Sequence, residues 1–144
     1  MKLDAILSLW QDDCNIDPTD LGNESLSTSQ LHHKYLKMHS GENLLLKKKK
    51  EDLKRLKLDK AEFYFQGPHE QTPKHWKLPA IGRIIKSEVP TYVEADDDVI
   101  TAILDLALQQ EKVDVLESIL KVITNRGWQI SNAISWFKFQ AGER

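Results

Sequence analysis

"SLSTSQLHHKYLKMHSGENLLLKKKKEDLKRLKLDKAEFYF", Ser25 to Phe65, contains no proline and only one glycine, Gly41. So long a run without a helix breaker reads as one long helix, or two nearly collinear ones. Leu31, Tyr35 and Met38 make one apolar stripe along it; Leu46, Leu53, Leu56 and Phe63 make a second, with lysines between. About 40 residues at 1.5 Å each span about 60 Å, too long to hide in a small globule, so another helix must lie against this one.

Val99, Ile103, Leu106, Val113, Leu116, Leu120 and Ile123 supply that partner, an apolar stripe with Gln110 in its seam. Asp96 to Asp98 belong in its first turn, where carboxylates meet the positive end of the helix dipole. Between the two helices, "GPHEQTPKHWKLPAIGRIIKSEVP", Gly67 to Pro90, holds four of the five prolines and reads as an irregular connection with a short extended piece at "RIIKSEV". Leu3, Ile6, Leu7 and Trp10 mark a short amphipathic helix at the start of the chain, and Asp17 before Pro18 marks a second helix start. "TNRGWQI" reads as a helix stop with Gly127 at the C′ position, followed by a short last helix. The expected fold is all-α, a long helical hairpin with short N-terminal and C-terminal helices. In 144 residues this is a single domain: a basic arm over 1–66, a connecting loop over 67–95 and C-terminal helices over 96–144.

The net charge of −2 conceals an asymmetry, with 15 Lys and Arg against 12 acids through Ser87 and five against ten afterwards. A basic contact surface coexisting with an acidic, protein-facing stretch from Glu88 to Glu117 fits this division. Cys14 is alone, which excludes an intrachain disulfide or a cysteine metal cluster and suits a reducing compartment. "MKLDAILSLWQDD" has no cleavage site of small residues behind it, and no run approaches the roughly 18 apolar residues needed to cross a bilayer.

The sharpest feature is "KKKKEDLKRLKLDK", Lys47 to Lys60, with eight basic and three acidic residues running into the rings of "FYF". Lysines attract phosphates and release their counterions, while exposed rings stack bases regardless of sequence. Single-stranded nucleic acid uses both, so Lys47, Lys48, Lys50, Lys54, Arg55, Lys57, Lys60, Tyr64 and Phe65 form the candidate binding set. Lys47, Lys50, Lys54 and Lys57 fall three or four residues apart, on one face. The competing reading is a solvated basic helix with Phe63 to Phe65 in the core, in a scaffold protein that does not bind DNA.

Large rings gather again at Trp128, Trp136, Phe137 and Phe139. Together with Leu116, Ile119, Leu120, Ile123, Ile130 and Ile134 they suggest an oligomer interface, against the alternative of an ordinary core at the hairpin base. Catalysis has no visible basis. His32, His33 and His39 contain no i, i+4 pair for a metal, Asp96 to Asp98 lack a second carboxylate cluster, and no phosphate loop or activated nucleophile is present. No cofactor and no metal are expected.

Three segments, "LHHKYLKMHS" (31–40), "SEVPTYVEADDDVI" (87–100) and "NRGWQISNAISWFKFQAGER" (125–144), resemble in order and spacing the UvsY family of recombination mediators from myoviruses and cyanophages. Arg126 with Gly127 and the closing Ala141 with Gly142 are the clearest points of resemblance. It implies a closed ring of six or seven subunits, assembled through the carboxyl-terminal part, that binds single-stranded DNA in the cytoplasm of an infected bacterium. It further implies two protein partners, a phage single-strand-binding protein and a RecA-like recombinase that the mediator loads without consuming nucleotide. The family's basic patch before paired aromatics corresponds to Lys54, Arg55, Lys57 and Lys60 ahead of Tyr64 and Phe65. Asp59 and Ala61 depart from that pattern, and the lysines upstream compensate.

Overall fold

The structure, a computed structural model, describes residues 1–143. Those residues are helical without strands: α1 Leu3–Asp13, α2 Leu21–Leu26, α3 Thr28–Gln66, α4 Val89–Glu94, α5 Asp97–Thr124 and α6 Arg126–Gln140. Most of the run read from the sequence is a single helix of 39 residues, α3, which passes through Gly41 without a break, while Ser25 and Leu26 belong to α2 and Ser27 separates the two. None of the helices is long and apolar enough to cross a membrane.

The chain divides into two compact units whose boundaries fall inside α3 and α5 and not at the ends of the connection. The first comprises residues 1–44 and the chain from Gln110 onwards. Its core is Ile6 from α1, Tyr35 from α3, and Leu116, Ile119 and Ile123 from α5, with Leu9, Trp10, Leu31, Met38, Val115 and Leu120 packed around them. Trp10 meets Tyr35 edge-on at 5.3 Å between ring centroids. The Tyr35 hydroxyl donates to Asp13 at 2.8 Å, which also pairs with Lys34. Burial, followed by this bond to a carboxylate, raises the Tyr35 hydroxyl well above the usual phenol range. Arg126, 5% exposed at the start of α6, pairs with Glu24 of α2.

The second unit comprises residues 45–109. Phe63 and Tyr64 at the end of α3 pack with Ile84, Val89, Val93 and Val99, and Leu53, Leu56, Trp76, Leu78 and Tyr92 surround this core. Gly67 closes α3 at φ 87, with its N–H donating to the Phe63 carbonyl at 2.9 Å. A left-handed residue here lets the chain turn back, a conformation glycine adopts without the Cβ clash.

Several local expectations need correction. Asp17 turns the chain by accepting from the Thr19 N–H and hydroxyl, so α2 begins later, at Leu21. "RIIKSEV" forms no strand; Ile84 donates its N–H to the Tyr64 carbonyl at the end of α3, and Val89 with Pro90 opens α4. α5 ends at Thr124 and α6 starts at Arg126, so Gly127 lies in the first turn of a helix instead of stopping one. The fully buried amide at the middle of α5 is Gln109, while Gln110 is half-buried and donates to Asp114.

Candidate nucleic-acid interface

At 100° per residue, Lys47, Lys50, Lys54, Lys57, Ala61 and Phe65 advance along one face of α3. The four lysines are exposed and line a common groove with Leu53 and Leu106. Phe65, 48% exposed, lies on that face two turns beyond Lys57. A second groove holds Phe65 with Lys86, Val89 and Pro90. Lys86 was not anticipated: it sits in a stretch that resembles a strand, and only the fold brings it to a ring.

The other candidates lie elsewhere. Lys48 and Arg55 are exposed but project from the opposite flank of α3, beside Asp52 and Asp59. Lys49, the one lysine of the run left out of the candidate set, is half-buried and pairs with Asp105 at 2.8 Å.

Two candidates are corrected outright. Lys60 is 3% exposed, and its ammonium lies 3.0 Å from both Asp96 and Asp98 and 4.0 Å from the centre of the Trp76 ring. Tyr64 is 7% exposed and donates its hydroxyl to Asp96 at 2.6 Å. Neither offers a surface to a nucleic acid, because both are consumed by the core of the second unit. Burial alone would raise the Asp96 carboxyl, yet the bonds from Tyr64 and Lys60 outweigh it and hold that group below the usual carboxylate range. Asp98 is lowered mainly by its bond to Lys60, and His75 adds a contact at 3.0 Å. Burial, then the bond to Asp96, pushes the Tyr64 hydroxyl well above the phenol range.

Asp96 also accepts from the backbone N–H groups of Asp98 and Val99, so it caps α5. The acidic run is thus a helix start bound to a lysine. Among the described residues no group of three His, Cys, Asp or Glu side chains could hold a metal ion.

The expected oligomer set divides as well. Leu116, Ile119, Ile123 and Ile130 are buried within their own unit, and Leu120 is half-buried, so these serve the protomer's core. On α6, Trp128, Ile134, Trp136 and Phe137 remain exposed, and Trp136 stacks on the exposed Phe139 at 5.7 Å.

Residues 9–143 match the family model described as the recombination, repair and single-stranded-DNA-binding protein UvsY. The chain belongs to the UvsY family. The fold agrees: the crystal structure of the bacteriophage T4 recombination mediator protein UvsY is similar with a TM-score of 0.79 and 25% identity, over 98% of each chain. Two further lattice forms of the same UvsY give a TM-score of 0.78 at 23% and 22% identity, covering 94% and 97% of this chain and 98% and 99% of theirs. A comparison with curated proteins returns no match. UvsY membership places the protein among recombination and repair proteins.

Proposed function

We propose that this protein is a recombination mediator that binds single-stranded DNA along the Lys47, Lys50, Lys54 and Lys57 face, with Phe65 at its end. It promotes loading of a RecA-like recombinase onto DNA covered by single-strand-binding protein, in the cytoplasm of an infected bacterium. The observation that carries the reading is the exposed row of four lysines on one helix face, in a chain of the UvsY family. Phosphates bind such a row through Coulomb attraction and counterion release. Protomers join through the uncovered rings of α6 into a ring of six or seven. The ring then offers one flexible strand many weak sites, and avidity rises without any new contact. A strand wrapped on that ring holds its single-strand-binding protein less well, by reciprocal linkage. The reaction requires no cofactor from the mediator.

Fluorescence anisotropy with a labelled oligonucleotide across salt tests the reading. About four phosphate contacts per subunit give a slope near −3 in log affinity against log salt. Replacing Lys47, Lys50, Lys54 and Lys57 together by Ala should abolish most of that slope. Lys48→Ala with Arg55→Ala, on the opposite flank, should change it less. A flat response of the parent between roughly 50 and 300 mM salt refutes DNA binding by this face.

A further inference from the structure

The groove beside the lysine row joins two kinds of chemistry. Lys47, Lys50, Lys54 and Lys57 line it from one face of α3 together with Leu53 and Leu106, and the space measures about 430 Å³. Its single acid, Glu51, is paired with Lys54 at 3.0 Å, which leaves the lining with a net excess of three positive charges. That volume falls within the range of small-ligand clefts, roughly 300 to 1,000 Å³. Lysines that serve only to attract phosphates need nothing beside them. Here the cations adjoin apolar surface, which fits a ligand that is anionic along its edge and flat and weakly polar at its centre. A polynucleotide with one base turned inward has that character, and only an unpaired strand can turn a base without breaking pairs. An acidic peptide would satisfy the lysines but leave the leucines without a flat partner.

Resting on the single-strand reading above, we propose that the groove is a base slot: one unpaired base seats on Leu53 and Leu106 while the neighbouring phosphates bind the four lysines. The slot discriminates single from double strands, which lysines alone do not. The side chains of Leu53 and Leu106 carry no hydrogen-bonding group, so the slot accepts any base.

The test compares two strands of equal length and charge, labelled oligo(dT) and an abasic deoxyribose-phosphate strand, binding to the full chain by anisotropy. Oligo(dT) should bind roughly fivefold or more tightly, the gain expected when about 40 Å² of leucine surface is covered by a base, with the same salt slope for both strands. Leu106→Ser should remove that advantage and leave abasic binding unchanged, with its helical signal on heating as the control for folding. Equal affinity of the parent for the two strands overturns the slot while the phosphate-binding reading stands. Absence of binding to either strand removes both. A poly-glutamate peptide that displaces oligo(dT) and binds more tightly assigns the groove to an acidic protein and also overturns the slot.

Discussion

Lys60→Met replaces a buried ammonium with an apolar side chain of similar length and isolates the charge from the packing. In the parent, that ammonium touches Asp96 and Asp98 at 3.0 Å each and the Trp76 ring at 4.0 Å. Asp96 has a side chain 7% exposed, so loss of the cation leaves a carboxylate in the core with Tyr64 and two backbone N–H groups as its remaining donors. Removing one partner of a buried pair costs about 3–5 kcal/mol. Asp98, 38% exposed, can turn to water, which sets the expectation at the lower end, about 3 kcal/mol. Urea unfolding followed by circular dichroism, at one fixed protein concentration, measures the change. Adding Asp96→Asn should recover part of the loss, since the stranded charge is then gone. For the folded variant the salt slope of DNA binding stays at the parent's value, because Lys60 does not face solvent. A loss below about 0.5 kcal/mol, the size of an ordinary surface change, would refute the buried network.

Acid should weaken the fold in a defined window. Asp96 and Asp98 have folded-state values below the ordinary carboxylate value, so their contribution is complete above about pH 4 and disappears as pH falls through the lowered values. A stability profile that keeps falling only above neutrality would contradict this, and Lys60→Met should flatten the acid limb. Gly67→Ala places a Cβ on a residue at φ 87 and should cost about 1–2 kcal/mol; an unchanged urea midpoint would show that the turn tolerates it. Trp136→Ser with Phe139→Ser should yield a smaller species by size-exclusion chromatography with light scattering at micromolar concentration. An unchanged mass would refute assembly through these rings.

Much of the helical plan was legible because the decisive signals are local. α3 follows from an absence of proline, and the lysine row from spacings of three and four that any helix brings to one face. The first turn of α5 was likewise readable from Asp96 to Asp98. Lys60 was not, because its partners lie 36 and 38 residues further along the chain and join it only once the connection folds over Trp76. On sequence it is one more lysine in a basic run. Leu116, Ile119 and Ile123 show the same limit, since an apolar stripe does not declare whether its own chain or another covers it. Gly127 misled for a different reason: glycine suits a helix end, but Asn125 provides the break and the glycine enters the next helix.

Asp96 joins two levels of organisation in one side chain. Its Oδ1 holds the first N–H groups of α5 while its Oδ2 receives Tyr64 and Lys60 from α3. The onset of one helix and its attachment to the other are therefore a single cooperative event. Amides at Asp98 and Val99, which in an ordinary helix would exchange by fraying, should instead exchange only when the whole of residues 45–109 opens.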